Sequence, residues 1–290
     1  MSSILVATDF STRSDRALRR AVLTARQIKA NLVLFHALDD DLPDPLLAIH
    51  RDASEALLAE LADTIVNTDQ IKCSYRLALG DPFRALIEAA CDMKPEIVMI
   101  GSHRRNLLKD IFVGTTAERS LRESPRPMIM ANGVPAGPYR RILIATDCSD
   151  QSVSAAMAAK ELGLLEHASV TVLHAFDTPE QGMMQRSLMS GDEIDDYVVS
   201  MRAQATSNMQ AFLNRADIKP NKKQIKPVEV STTETILGAV QQGQSDLLVI
   251  GTHGRSGVEK LFLGSVAEEI LRRAEVDVLA VPPLLTAASG

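Results

Sequence analysis

The sequence predicts an α/β protein built from two similar domains, each a parallel sheet covered by helices on both faces. The first observation is a repeat: residues 4–11 read ILVATDFS and residues 142–149 read ILIATDCS. Residues 97–103, IVMIGSH, likewise return at 247–253 as LLVIGTH. The second observation is that short apolar segments alternate with segments of helical periodicity in each copy. Such alternation is typical of parallel sheets with right-handed crossovers.

The repeat also sets the domain organisation. The copies are offset by 138 residues at the first motif and by 150 at the second, which indicates a duplicated domain with a small insertion and excludes a solenoid. A chain of 290 residues suits two domains, each large enough for its own core. Residues 133–138 contain two Gly and two Pro, so we place the boundary there, with domain 1 at 1–134 and domain 2 at 139–290.

In domain 1, a short apolar run at residues 4–7 reads as a buried strand, and residues 14–29 follow with apolar side chains at helical spacing. Pro82 marks the first turn of a helix, where its missing N–H costs nothing. The predicted strands are residues 4–7, 31–37, 72–79, 96–100 and 127–131, and the predicted helices are 14–29, 46–67, 82–93 and 115–123.

Domain 2 repeats the same order of elements. Its predicted strands are residues 140–146, 169–175, 226–231, 246–250 and 277–281, and its predicted helices are 152–162, a long helix ending near Arg215, 233–242 and 265–273. Ligands of parallel sheets bind beyond the carboxyl ends of the strands, where the strand order reverses. We therefore expect the functional residues to lie at the carboxyl ends of the strands.

The composition indicates which classes of partner the protein does not bind. Apolar residues make up 46% of the chain and charged residues 23%, as in ordinary globular proteins. A net charge of −6 and an aromatic content of 3% without Trp argue against a nucleic-acid partner. The three cysteines are far apart, which indicates unlinked thiols. Without a signal peptide or an apolar run of about 20 residues, we expect a cytoplasmic protein that does not insert into membranes.

The strand at residues 247–250 runs into the glycine-rich segment Gly251-Thr252-His253-Gly254, and Gly264-Ser265 opens the next helix. Glycines let backbone N–H groups converge on an anion, and a helix N-terminus adds a partial positive charge. This pattern suits phosphate. Asp147, just after the first strand of domain 2, suits ribose hydroxyls or a base edge. Alternatively, the glycines form only a tight turn and Asp147 caps the following helix.

These motifs resemble a known family. Gly251-x-x-Gly254, followed after nine residues by Gly264-Ser265, is similar to the ATP-binding signature of the universal stress protein family. Residues 142–147 resemble its opening strand and residues 277–281 its closing strand. The likeness covers nearly the whole chain, once per half, so the chain resembles a tandem, two-domain member.

The resemblance implies a fold and a ligand. The fold would be two Rossmann-like domains of the adenine nucleotide alpha hydrolase-like type, each a five-stranded parallel sheet of order 3-2-1-4-5. The ligand would be ATP, ADP or AMP, with Mg²⁺ as a further option. By the same resemblance, the base and ribose would contact Thr146, Asp147, Ala175, Ile250, Gly251 and Thr252, and the phosphates would contact Gly254, Gly264, Ser265 and Val266.

The first copy departs from this pattern at one position. It keeps Asp9, Gly101, Gly114 and Thr115, but Arg104 stands where the second glycine is expected. Arginine is strained if that position needs a positive φ, and its side chain would then enter the phosphate space. Alternatively, Arg104 binds an anion directly. We expect a degenerate site in domain 1 and the principal site in domain 2.

Three functions remain open. The first is a nucleotide-binding, regulatory module of the stress response, the second a slow nucleotide hydrolase, and the third a nucleotide-free scaffold or carrier of a hydrophobic ligand. The sequence contains no P-loop, Gly-x-Gly-x-x-Gly or Gly-x-Ser-x-Gly motif. No acid–base pair lies near the loop, so binding is favoured over catalysis, although Asp147 offers a water-mediated Mg²⁺ contact. The repeated histidines at 36, 103, 174 and 253 favour structural roles over metal ligation.

The repeat also predicts how the halves assemble. Single-domain members of the resembled family pair through their last strands. Here the segments 128–131 and 278–281 belong to one chain, so we expect an intramolecular pseudo-dimer in which each last strand covers the other. Association of two chains into a homodimer is a further option.

Overall fold

The computed structural model describes residues 2–41, 43–101, 121, 123–178, 191–252 and 263–283. Strands and helices alternate as predicted along the described residues, whereas the helix predicted at 115–123 lies almost wholly outside them. The strands are β1 Ser3–Ala7, β2 Asn31–Leu38, β3 Cys73–Leu79, β4 Ile97–Gly101, β5 Met128–Ala131, β6 Arg141–Thr146, β7 Ser169–Phe176, β8 Lys222–Pro227, β9 Leu247–Gly251 and β10 Asp277–Val281. The helices are α1 Thr12–Ile28, α2 Asp44–Thr64 with a π-helical extension Ile65–Asp69, α3 Pro82–Met93, α4 Asp150–Glu161, α5 Gly191–Ala216, α6 Thr232–Gly243 and α7 Ser265–Arg273.

The ten strands form one continuous sheet of order β3-β2-β1-β4-β5-β10-β9-β6-β7-β8. Each half has the order 3-2-1-4-5, and all strand pairs inside a half are parallel. The predicted fold class is therefore confirmed in both halves. In each half the first and fourth strands are neighbours although they are distant in sequence, which places the reversal of strand order between them.

The halves meet through their last strands. β5 and β10 pair antiparallel, with Met128 opposite Ala280, Ile129 opposite Leu279 and Met130 opposite Val278. All residues of both strands are buried. The structure thus shows the intramolecular strand pairing that the repeat predicted, and each of these two strands covers the edge of the other.

The apolar core is divided by sheet face and not by domain. One cluster of buried side chains includes Ile4, Ile142 and Leu279, and the other includes Leu5 and Leu143. Because neighbouring residues of a strand point to opposite faces, a continuous sheet gives each face a cluster that crosses the domain boundary. The halves, each large enough for a core of its own, therefore share both clusters.

One strand of domain 2 lies four residues earlier than its sequence predicts. The strand predicted at residues 226–231 lies at Lys222–Pro227. Asn221 fixes its register, because its backbone N–H donates to the Val170 carbonyl at 2.8 Å and its side-chain oxygen accepts from the Val170 N–H at 2.8 Å. β8 is the edge of the sheet, where lysines are favoured over apolar residues and no alternation of hydrophobicity is needed.

A buried cluster of polar groups around Asp277 connects the linker and domain 1 to the start of β10. Asp277 is 0% exposed, and its Oδ1 accepts hydrogen bonds from the backbone of Asn132 (2.9 Å) and Gly133 (2.8 Å). Its Oδ2 accepts a 2.8 Å hydrogen bond from the Tyr139 hydroxyl. Arg20 Nε lies 2.6 Å from Oδ2 as an ion pair whose N–H is not aligned for a hydrogen bond.

The same arginine also contacts the linker and the Tyr139 ring. Arg20 donates from Nη1 to the Gly137 carbonyl at 2.7 Å, and its guanidinium lies 4.3 Å from the centre of the Tyr139 ring. Burial, and then the nearby Asp277 carboxylate, raise the pKa of Tyr139 well above its ordinary value, so its hydroxyl keeps the proton that it donates. The linker is therefore anchored between the two halves. Among the described residues, no helix is long and apolar enough to cross a membrane.

Candidate functional site

A pocket of about 240 Å³ opens at the carboxyl ends of β6, β7 and β9. It lies between α6 and α7, where the strand order of domain 2 reverses. The pocket is lined by nine of the ten residues predicted for the domain 2 site, namely Thr146, Asp147, Ala175, Ile250, Gly251, Thr252, Gly264, Ser265 and Val266. The tenth, Gly254, lies outside the described residues.

One wall of the pocket is the N-terminus of α7. Gly264 is the N-cap, in an extended conformation and without a side-chain capping bond, and its N–H donates to the Thr252 carbonyl at 2.8 Å. The first intrahelical bond runs from the Glu268 N–H to the Gly264 carbonyl at 2.9 Å. The N–H groups of Ser265 and Val266 therefore have no acceptor within the helix, which gives this wall a partial positive charge.

Asp147 lies at the carboxyl end of β6, and Ser149 fixes its carboxylate. Asp147 Oδ1 accepts hydrogen bonds from the Ser149 N–H at 3.0 Å and from the Ser149 hydroxyl at 2.6 Å. The N-cap of α4 is Ser149, whose Oγ accepts from the Ser152 N–H at 3.3 Å. The alternative that Asp147 caps the helix is therefore wrong, and the carboxylate lines the pocket instead.

The turn after β6 is held by hydroxyls and a histidine. Thr146 Oγ1 lies 2.8 Å from Ser152 Oγ and accepts from the Cys148 N–H at 2.9 Å. His174 Nδ1 lies 2.9 Å from the Thr146 carbonyl oxygen. Cys148 takes the left-handed conformation with a φ of 63°. These contacts give His174 a structural role, whereas His103 and His253 lie outside the described residues.

Domain 1 has the same turn after β1. Phe10 is left-handed with a φ of 57°, its N–H donates to Thr8 Oγ1 at 3.0 Å, and His36 Nδ1 lies 2.8 Å from the Thr8 carbonyl. Asp9 Oδ1 accepts from the Ser11 N–H at 3.0 Å. Burial raises the pKa of Asp9, but the combined interactions with Ser11 and Ser14 outweigh it and lower that pKa below its ordinary value.

The glycines at the ends of β4 and β9 are explained by packing. A Cβ on Gly101 would lie 2.8 Å from the Arg13 carbonyl oxygen, and one on Gly251 would lie 3.0 Å from Gln151 Cγ. Neither glycine has a positive φ. Gly251 therefore allows the close approach of α4 to β9, and this requirement is independent of any phosphate. Arg104, Gly114 and Thr115 lie outside the described residues, so the contrast between the two loops stays a prediction.

The wall that α6 contributes to the pocket was not predicted from the sequence. Thr232 and Ile236 of α6 line the pocket, together with Leu173 of β7. α6 follows β8 in the chain but packs against β6 and β7, so its place in the site depends on tertiary packing. The helix itself was predicted. Its position immediately before β9 in the chain was the one signal that it could lie beside the site.

The fold and this pocket define a tandem pair of doubly wound α/β domains with a ligand-sized pocket at the switch point of the second. The model of the Universal stress protein family matches residues 1–132 and 138–282. The chain therefore belongs to the universal stress protein family, as a tandem, two-domain member.

Two similar proteins match nearly the whole chain, and a third matches about half of it. Universal stress protein E of Escherichia coli K12 is 21% identical over 301 residues, covering 97% of this chain and 94% of its own. A universal stress protein of Methanocaldococcus jannaschii is 28% identical over 144 residues, 49% of this chain and 82% of its own. Among solved structures, a universal stress protein from Archaeoglobus fulgidus has a TM-score of 0.72 at 18% identity and covers 97% of this chain and 98% of its own.

Proposed function

We propose that this universal stress protein binds ATP, or ADP or AMP, in the domain 2 pocket and acts as a nucleotide-binding module of the cytoplasmic stress response. The observation that carries the proposal is the pocket at the switch point. It combines a carboxylate from β6, an apolar floor from β7 and β9, and the N-terminus of α7. Pockets of small ligands join these features in this way.

The polarity of the pocket supports one orientation of the nucleotide. The α7 N-terminus suits phosphate, because its unpaired N–H groups and its dipole favour an anion. Asp147 suits the ribose hydroxyls, because an ionised carboxylate accepts hydrogen bonds. Ala175 and Ile250 provide apolar surface for a base. The volume of about 240 Å³ suits a nucleoside, with the phosphates extending toward the opening.

The charges of the pocket favour binding over turnover. Among the described lining residues, Asp147 is the one carboxylate, and none is a histidine, lysine or arginine. Hydrolysis of a phosphoanhydride needs stabilisation of the leaving phosphate and a positioned base. A Mg²⁺ ion held by Asp147 through water would supply the first. We therefore assign binding as the function and slow hydrolysis as the alternative.

Titration calorimetry with ATP tests the proposal. We expect about one tight site per chain, lost in Asp147→Ala and barely changed in Asp9→Ala, the matched substitution in domain 1. The reason is that domain 2 keeps Gly254 where domain 1 has Arg104. Thermal melting without ligand checks that both variants fold. Two equal sites, or loss of the tight site in Asp9→Ala, would place the nucleotide in domain 1 as well and contradict the assignment.

Two further measurements separate the alternatives. Native mass spectrometry of freshly purified protein should show the mass of one adenine nucleotide, whereas a hydrophobic passenger or no ligand would support the carrier or scaffold. Release of ADP followed over hours should be negligible if the protein binds without turnover. Steady ADP release that Asp147→Ala abolishes would establish the hydrolase instead.

A further inference from the structure

The hydroxyl groups of the pocket fall into two sets. The Thr146 and Ser152 hydroxyls bond to each other at 2.8 Å, and the Thr252 hydroxyl donates to the Val281 carbonyl at 3.3 Å. Thr232 and Ser265, in contrast, show no side-chain hydrogen bond within the described part of the chain. Two hydroxyls therefore remain for a ligand, and each belongs to the first residue of a helix, α6 or α7.

These two hydroxyls belong to different helices that line the pocket. Ser265 belongs to the α7 N-terminus, the wall that suits phosphate. Thr232 belongs to α6, whose Ile236 lines the pocket beside Leu173 and Ala175 of β7. This wall is apolar apart from Thr232, and apolar walls with one placed polar group suit a flat heterocycle. A nucleotide with its phosphates at α7 therefore directs its base toward α6.

The N-terminus of α6 does not compete with α7 for the anion. Ser231 caps α6, because its Oγ accepts from the Glu234 N–H at 3.1 Å. Glu234 also places a carboxylate in the first turn of this helix. A side-chain cap and a negative charge both offset the positive end of a helix. The two walls therefore differ in character.

From these contacts we infer that Thr232 is a specificity-determining residue that selects the base. Its hydroxyl accepts a hydrogen bond from the exocyclic amino group of adenine, while Ile236 and Ala175 contact the ring. A hydroxyl both donates and accepts, so it pairs with a polar base edge and is left unpaired by a purine without a substituent there. The inference rests on the proposed nucleotide site and adds its base selectivity.

Domain 1 lacks this group. α3 begins at Pro82 after the N-cap Asp81, and α6 begins at Thr232 after the N-cap Ser231, so Pro82 is the counterpart of Thr232. Proline has no side-chain hydrogen-bonding group. A nucleotide in the domain 1 site would therefore lack this contact to the base.

Affinity for two ligands tests the role of Thr232. ATP and purine riboside 5′-triphosphate, which lacks the amino group, are titrated into the full-length wild type, Thr232→Val and Thr232→Ser. The wild type and Thr232→Ser should prefer ATP over the analogue by about threefold to tenfold, the range of one neutral hydrogen bond. Thr232→Val, which keeps the shape and removes the hydroxyl, should bind both ligands equally and the analogue as the wild type does.

The outcomes separate this inference from the proposed function. If the wild type and Asp147→Ala both fail to bind ATP, the proposed nucleotide site is wrong. The proposed role of Thr232 is then wrong as well. If the wild type binds ATP and Thr232→Val keeps the same preference over the analogue, only the role of Thr232 is wrong. Melting curves detect a folding defect in the valine variant, and Thr232→Ala then replaces it in the same comparison.

Discussion

Burial sets the chemistry of Cys73, the first residue of β3. It raises the pKa of the Cys73 thiol from 9.0 to about 12. Cys91 of α3 is exposed. Because the thiolate is the reactive form, the two thiols differ in reactivity although both are unlinked. The sequence shows that the thiols are distant from one another, but not that the sheet partly covers Cys73 and leaves Cys91 exposed.

We predict that alkylation at pH 8 labels Cys91 far faster than Cys73. The raised pKa lowers the thiolate population of Cys73 at pH 8 by about a hundredfold or more. Peptide mass spectrometry after timed reaction with iodoacetamide measures each site. Cys91→Ser is the control and should leave the slow labelling of Cys73 unchanged. Equal labelling rates in the folded protein would show that the partial burial of Cys73 does not suppress its thiolate.

At the scale of elements, both domains contain a close contact between a strand end and a helix. The two contacts differ in how much space they leave for a larger side chain. The carboxyl end of β4 meets α1 at Gly101 and Arg13, and that of β9 meets α4 at Gly251 and Gln151. In domain 1 the close atom belongs to the backbone. In domain 2 it belongs to a side chain, whose amide also donates to the Val281 carbonyl at 2.9 Å.

We therefore predict that Gly101→Ala destabilises the protein more than Gly251→Ala. The new Cβ of Gly101→Ala must displace backbone, which costs about 1–3 kcal/mol, whereas Gln151 can turn away from that of Gly251→Ala. Urea unfolding measures both changes. Gly238→Ala is the control: it lies inside α6 with open space around the new methyl, so it should raise stability by about 0.4–1 kcal/mol. A larger loss in Gly251→Ala would contradict the packing argument.

Most helices and strands were predicted correctly, because a few neighbouring residues are enough to indicate them. Pro82 starts α3, and an apolar run defines β10 at Asp277–Val281. β8 was misplaced because an edge strand needs no alternating hydrophobicity, and the apolar Val228 and Val230 beyond it imitated a strand. Thr232 was missed because α6 reaches the pocket through packing alone. The residues of the candidate site followed from the family signature, and the packing role of Gly251 appeared only in three dimensions.

At the scale of the whole molecule, Asp277 connects three distant segments. It contacts Arg20 of α1, the linker at Asn132 and Gly133, and Tyr139 before β6. None of these contacts follows from a local sequence pattern. The end of β10 also contacts the candidate site, because the Val281 carbonyl accepts from the N–H of Thr252 at 3.1 Å. One strand therefore contacts both the domain junction and the pocket.

We predict that Asp277→Asn lowers the stability of the whole chain by about 3–5 kcal/mol, because it leaves the buried Arg20 guanidinium without its counter-charge. Adding Arg20→Met should restore part of the loss, since no buried charge then remains. Asp217→Asn, which breaks the exposed pair with Lys160, is the control and should change the urea midpoint very little. If Asp277→Asn lowers the free energy of unfolding no more than Asp217→Asn does, the buried cluster does not stabilise the protein.

The antiparallel junction has a consequence for synthesis of the chain. Ile129 of β5 pairs with Leu279 of β10, 150 residues later in the sequence. At about 5–20 residues per second, a ribosome needs roughly 8–30 s to complete that interval. During that time the first five strands can assemble, but the exposed edge of β5 has no partner. This interval is when the nascent chain is most open to mispairing with another copy and to capture by chaperones.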